Sequence, residues 1–237
     1  MKKELEKRIT TSILLVLLVI FCIFINWTIY FLSILLISII SLVEINNLNL
    51  KIVKQYSFKK EKKKLIYYYL LSSMYIFFIF MTSTIALYES GSIFVFYILL
   101  ICIFSDVGGY VIGKTVGGKK LTKISPNKTI SGSIGSFFFS IIPLLIFNNF
   151  DQYQYSNSIT NFAFCLKLSL VCQLGDIFIS YLKRKAKVKD TGSFLPGHGG
   201  LLDRIDGIIF GIPFAYFSLF GLNGYINFLT TLLSKLK

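Results

Sequence analysis

Acidic residues are scarce in this 237-residue chain: Asp and Glu number eleven against 25 Lys and Arg, for a formal net charge of +14. Charge of either sign is sparse as well, at 15% of residues, while 54% are hydrophobic and the mean hydropathy is +0.70. Such a balance excludes a water-soluble enzyme and a disordered tail. The four cysteines, Cys22, Cys102, Cys165 and Cys172, lie inside apolar runs and lack the spacing of a metal pair or a secreted disulfide framework. They read as small core residues. Internal repeats, low-complexity linkers and a soluble domain are also missing, so one membrane-embedded domain over 1–237 remains, with any chemistry carried by basic loops.

What is present is long apolar runs. A helix needs about 20 apolar residues to cross a bilayer, and the clearest candidates are 65–83, 92–112, 130–147 and 159–182. Residues 11–46 are too long for one helix and are interrupted at Asn26 and Trp27, which predicts a helical hairpin. The stretch 205–234 is broken by Gly221, Asn223 and Gly224, which predicts one span and a shorter returning helix. The fold class expected is therefore all-α, a polytopic transmembrane helical bundle of seven or eight spans. Within it 1–104 holds N-terminal membrane helices, 105–210 the catalytic region and 211–237 C-terminal helices.

Lysine and arginine fall in alternate loops, the pattern of residues retained in the cytoplasm. Lys2, Lys3, Lys7 and Arg8 precede the first span, seven lysines crowd 51–64, five more fill 114–128, and Lys183 to Arg204 supplies a third basic loop. The loops around Glu89 and from Asn148 to Ser158 contain none. Both termini and the three basic loops are thus expected on the cytoplasmic side. Lys167, inside a span, can snorkel from near a helix end. The N-terminus lacks a small-residue cleavage site after its apolar run and reads as a retained anchor.

Polar residues concentrate in two places. The span 159–182 ends in Gln173, Gly175, Asp176, Ser180, Lys183 and Arg184, and spacings of three and four put Gln173, Asp176, Ser180 and Lys183 on one helical face. The loop that follows reads GSFLPGHGGLLDRID from Gly192 to Asp206. Asp203 and Asp206 point the same way if a helix begins there. Asp176, Asp190, Asp203 and Asp206 gather four of the eleven acids near one hairpin, and hard oxygen donors of this kind suit magnesium shared with substrate phosphates. The alternative is that each Asp pairs with a neighbouring Lys or Arg. His198, the only histidine, is as compatible with a structural hydrogen bond as with a base.

The second place is Ser105 to Gly135. Gly108 to Thr115, GGYVIGKT, formally satisfies a phosphate-loop pattern. That pattern requires a strand before it, and a membrane span stands there instead. Gly109 and Gly113 are spaced as a small-xxx-small helix contact. Further on, Pro126 near a helix start with Lys128 and Thr129 in its first turn makes an anion site, in which Lys128 is better explained by a bound anion than by the helix dipole.

These residues resemble the phosphatidate cytidylyltransferase family. Ser180, Lys183, Arg184, Lys189, Asp190, Gly192, Pro196, Gly197, His198, Gly199, Gly200, Asp203, Arg204 and Asp206 match its long signature, with Gln173, Gly175 and Asp176 before it. Asp106, Tyr110, Gly113, Lys114, Gly117, Ser125, Pro126, Lys128, Thr129 and Gly132 resemble its second block, so that the two cover 105–210. The resemblance implies conversion of CTP and phosphatidate to CDP-diacylglycerol and diphosphate, with magnesium, with or without a second cation, offsetting charge between two anions. It implies Asp176, Asp203 and Asp206 as metal ligands and, with Lys183 and Arg184, as catalytic residues. Lys128, Lys183, Arg184, Lys189 and Arg204 are implied to bind phosphates, and Ser125 and Thr129 to contact the nucleotide. Asp106, Ser180, Asp190 and His198 complete the substrate-binding set for CTP and phosphatidate. It further implies a homodimer among membrane lipids, a cytoplasmic active site in a bacterial inner membrane, and no nucleic-acid partner.

Two positions depart from the family: Ser131 and Ile179 stand where many relatives carry Glu. A CTP-dependent polyprenol kinase and a membrane transporter are the alternative readings. The PGHGG-x-x-DRxD segment argues against the first, and the clustering of acids on one side of the membrane against the second. The lysine-rich stretch 51–64 can bind anionic lipid on its own account.

Overall fold

The computed structural model describes residues 17–54, 61–147, 159–194 and 199–235, and helices dominate them. They are α1 (Trp27–Lys54), α2 (Glu61–Ser73) continued by a π-helical segment (Met74–Met81) into α3 (Thr82–Glu89), α4 (Ser92–Thr115), α5 (Ile130–Ser140), α6 (Ile142–Phe147), α7 (Ile159–Lys185), the single turn α8 (Leu202–Ile205) and α9 (Ile208–Lys235). Six stretches among the described residues are long and apolar enough to cross a membrane: 27–54, 63–89, 92–115, 130–147, 159–185 and 208–231. The chain is an integral membrane protein built as a polytopic helical bundle, as its apolar runs predict.

The count of seven or eight meets six described helices for local reasons. The first arm of the predicted N-terminal hairpin begins in residues outside those described; 17–24 are helical, and Asn26 ends that segment by capping α1, its Oδ1 accepting from Ile29 N–H at 2.8 Å. At the other end, Gly221 takes φ 64 and ψ −174, so α9 is two helical pieces joined at a kink where the sequence shows its break.

Polar residues share the buried faces of the helices with apolar ones, while many large apolar side chains are exposed. On α1 the buried face reads Tyr30, Ile34, Ser38, Ser41, Glu44 and Leu48, whereas Leu32, Leu36, Ile39 and Val43 are exposed. Lipid does not drive apolar side chains inward, so helices associate through packing and hydrogen bonds and keep polar groups inside.

Two compact units contain the site residues. Unit 1 comprises 1–92 with 182–205, and unit 2 comprises 93–181 with 206–237. In unit 1, Tyr30 donates its hydroxyl to the Thr84 carbonyl at 3.2 Å and stacks on Tyr88 with ring centroids 4.1 Å apart, while Ser72 Oγ bonds Asn46 Oδ1 at 3.1 Å. In unit 2, α4 and α7 are joined by Ser105 and Ser169, whose hydroxyls lie 2.7 Å apart. α4 and α5 meet on the predicted glycines: a Cβ added to Gly109 would lie 2.5 Å from Ser136 Oγ, and one added to Gly132 would lie 2.6 Å from the Gly109 carbonyl. The phosphate-loop match therefore sits inside helix α4, as a packing stripe.

Candidate active site

In unit 2, α7 carries Gln173 and Asp176 on its buried face, one turn apart. Asp176 Oδ2 accepts from Lys128 Nζ at 2.6 Å, and the two side chains are 13% and 31% exposed. Its Oδ1 is buried and has no hydrogen-bond partner among the described residues. A carboxylate oxygen in that condition costs free energy unless something else satisfies it. Gln173 Oε1 accepts from Ser133 Oγ at 2.5 Å, which ties α7 to α5. Asp106, on α4, lies within electrostatic range of both Asp176 and Lys128. Gly207 fits beneath this group because it lacks a Cβ, which would lie 2.9 Å from Asp176 Oδ1.

Lys128 reaches Asp176 through a folded loop. Lys119 to Ile130 doubles back: Leu121 N–H donates to the Lys128 carbonyl at 2.8 Å, Ile130 N–H to the Lys119 carbonyl at 3.0 Å, and Lys120 bridges Thr129. This corrects the predicted helix start. α5 begins at Ile130, and Thr129 is its N-cap, in extended conformation with Oγ1 accepting from Gly132 N–H at 3.1 Å. Lys128 precedes the helix instead of lying in its first turn, and its ammonium pairs with a carboxylate. Ser131, at one departure from the family pattern, bonds the Gly117 carbonyl. Ser125 N–H donates to Thr122 Oγ1 at 3.1 Å inside the same loop.

In unit 1, Asp203 is held from all sides. Its Oδ2 accepts from Thr191 N–H at 2.8 Å, Thr191 Oγ1 at 3.0 Å and Gly200 N–H at 3.0 Å, and its Oδ1 accepts from Lys183 Nζ at 2.7 Å. Burial opposes ionisation of this carboxyl, but the Lys183 hydrogen bond, the two backbone donors and the lysine charge outweigh it and hold Asp203 below the usual carboxylate range. The turn α8 ends at Ile205, and Asp206 lies in the break before α9. The prediction that one helix carries both Asp203 and Asp206 is corrected accordingly; Gly207 ends the turn, and Asp206 Oδ1 accepts from Gly207 N–H at 3.1 Å.

Other predicted residues are more open. Lys114, Arg184, Lys189, Asp190 and Arg204 are exposed, and Ser180 is half-buried on α7. Gly199, at φ +83, lets the chain turn back towards Asp190 and Asp203. His198 with Pro196 and Gly197 lies outside the described residues.

Glu44 is the residue that sequence reasoning missed. It is 5% exposed on α1 and receives three hydrogen bonds from the signature loop: Thr191 Oγ1 at 2.8 Å, Leu201 N–H at 2.9 Å and Leu202 N–H at 2.9 Å. A Cβ on Gly200 would fall onto Thr191 and this carboxylate, so at least that glycine serves close approach to a protein side chain.

No group of three His, Cys, Asp or Glu side chains that could hold a metal ion occurs among the described residues. Asp176 and Asp203 each pair with a lysine, the alternative weighed for the acid cluster. The donor chemistry still suits a hard cation, because Asp176 presents a buried oxygen without a partner.

Residues 47–221 match the cytidylyltransferase family, and the chain belongs to that family. It is 42% identical over 136 residues to a phosphatidate cytidylyltransferase of Bacillus subtilis, covering 55% of this chain and 49% of the relative. It is 45% identical over 121 residues to that of Rickettsia bellii (47% and 51%) and 44% identical over 126 residues to that of Staphylococcus aureus (53% and 48%). The chain thus spans about half the length of these relatives.

Proposed function

We propose that this chain is a phosphatidate cytidylyltransferase, an enzyme that transfers the cytidylyl group of CTP to phosphatidate. A phosphatidate oxygen attacks the α-phosphorus of CTP, the bond from that phosphorus to the bridging oxygen of the β-phosphate breaks, and diphosphate leaves with CDP-diacylglycerol as the other product. The observation that carries this reading is the buried Asp176 with one oxygen bonded to Lys128 and the other without a partner among the described residues, in a chain of the cytidylyltransferase family.

Lys128 and Lys183 are cations held ready by carboxylates, and arriving phosphates compete for them with Asp176 and Asp203. Arg184, Lys189 and Arg204, exposed on the signature segment, add positive charge for the two anionic substrates. The family resemblance assigns nucleotide contact to Ser125 and Thr129, on the folded loop that positions Lys128, and substrate binding to Asp106, Ser180, Asp190 and His198. Asp176, Asp203 and Asp206 would hold magnesium, with or without a second cation, which when bound supplies charge neutralisation on the reacting phosphates.

The alternation of basic and non-basic loops supports a cytoplasmic N-terminus and active site, and the bacterial relatives support an inner-membrane location. A homodimer embedded in membrane lipids is proposed on the family resemblance alone. The deciding experiment measures diphosphate release from CTP by purified protein in detergent, with and without phosphatidate and magnesium, beside an Asp203→Asn variant. Diphosphate and a CDP-lipid that need every component and vanish in the variant support the assignment. CDP with a phosphorylated lipid alcohol would make the protein a kinase, and no turnover of CTP would overturn both enzyme readings.

A further inference from the structure

We propose that Glu44 is a positioning residue for Asp203, acting through Thr191 and the backbone of Leu201 and Leu202. For its catalytic consequence this inference rests on the function proposed above. Its structural content stands on six contacts within unit 1, two of which share the Thr191 hydroxyl proton.

Glu44 belongs to an apolar membrane helix, where a buried carboxylate is costly unless fully satisfied. Its donors, the N–H groups of Leu201 and Leu202 and the shared Thr191 hydroxyl, all come from the signature loop, which lies 147 to 158 residues away in the chain. The loop residues that serve Glu44 interleave with those that serve Asp203. Thr191 offers one hydroxyl proton, with Oγ1 2.8 Å from Glu44 Oε2 and 3.0 Å from Asp203 Oδ2, so it donates to one carboxylate at a time. Its N–H, with that of Gly200, is committed to Asp203 Oδ2. Leu201 and Leu202 N–H, next along the chain, are committed to Glu44.

The consequence is directional. Asp203 Oδ2 is saturated by the loop, which leaves Oδ1, on Lys183, as the oxygen turned towards an exchangeable partner. Glu44 fixes the backbone just before Asp203 and so fixes which oxygen is presented. Its amide analogue replaces one acceptor oxygen by an NH2 group facing backbone donors, which removes a hydrogen bond and adds a clash of donors. No requirement for bilayer insertion explains an acid at this position, since uncharged side chains would serve a span better.

The test combines hydrogen exchange with kinetics on the full chain in detergent. In Glu44→Gln, exchange of the Leu201 and Leu202 amides is expected to accelerate about tenfold or more, the scale set by losing hydrogen bonds to a charged acceptor. CTP turnover by the same variant is expected to show kcat lowered about tenfold or more with KM for CTP unchanged, as misplacement of a reacting group predicts. Thr191→Val removes only the shared hydroxyl and lowers kcat, while Thr191→Ser, which keeps it, restores the wild-type value; this pair also decides the matter if Glu44→Gln does not fold. Unchanged amide exchange overturns the clamp. Faster exchange with unchanged kcat overturns the positioning role, as does a KM effect alone. If wild-type protein does not turn over CTP, the proposed function falls separately, and the exchange measurement still supports or overturns the clamp.

Discussion

Asp176 and Asp203 are both carboxylates bonded to a lysine at nearly the same distance, 2.6 Å and 2.7 Å, yet their surroundings differ in kind. Asp203 in unit 1 has three committed donors, Lys183 Nζ and the N–H groups of Thr191 and Gly200, and shares the Thr191 hydroxyl with Glu44. Asp176 in unit 2 has Lys128 on one oxygen and, among the described residues, nothing on the other. A carboxylate whose lone pairs are consumed by backbone donors is fixed in place, and its loop depends on it. One that keeps a buried oxygen without a partner raises the energy of the unliganded protein and gains most when a cation or donor arrives. Under the proposed function Asp176 is therefore the acid poised to take a ligand, and Asp203 the acid that organises a loop while presenting a single oxygen.

The largest effect that tests this contrast is a matched pair of amides. Asp176→Asn is expected to lower CTP turnover by about a thousandfold, the order found when a group stabilising transition-state charge is removed, while leaving exchange protection of 199–206 unchanged. Asp203→Asn is expected to lose activity and also expose the Thr191 and Gly200 amides, because the acceptor oxygen that binds them is compromised. Equal loosening of the loop in both variants would erase the distinction.

A smaller effect separates the two lysines. Lys183→Met removes one donor from Asp203 and leaves the two backbone N–H donors in place, so the loop should stay closed. Lys128→Met strips Asp176 of its lysine partner and leaves a buried carboxylate with neither oxygen bonded among the described residues. The thermal midpoint in detergent should therefore fall further for Lys128→Met, by a difference of about 1–3 kcal/mol in stability, the cost of an unsatisfied buried polar group. A larger fall for Lys183→Met would reverse the comparison.

These differences could not be read in the sequence, although the elements that produce them largely could. Helical spacing identifies Gln173 and Asp176 as one face, and the glycine pattern of α4 identifies a packing stripe instead of a phosphate loop, because both depend on local periodicity. The start of α5 is misplaced by the turn from Ser125 to Lys128, since Pro126 marks a helix start as readily as a turn before one. Glu44 is invisible to the same reasoning. It interrupts a run of Leu, Ile and Val without a motif, and its partners are brought to it only by the tertiary fold. The one available signal is that a carboxylate inside a membrane helix is a functional candidate by default, a rule that applies to Glu44 as well as to Asp176.

The smallest effect is on pH dependence, and its sign follows from the environment of Asp203. The Lys183 and backbone donors hold its folded-state pKa below the unfolded one in spite of burial. A depressed carboxyl binds fewer protons in the folded state, so its contribution is complete above the unfolded value, about 3.9, and is lost as pH falls through the folded value. Protection of the Thr191 and Gly200 amides, corrected for intrinsic exchange, should thus stay level from neutral pH down to about 4 and decline below that. In Asp203→Asn no such decline remains, since the titrating acceptor is gone. A decline that begins near neutrality in the wild type would mean that the loop donors do not stabilise the ionised form, and Asp203 would no longer differ from Asp176 as the saturated member of the pair.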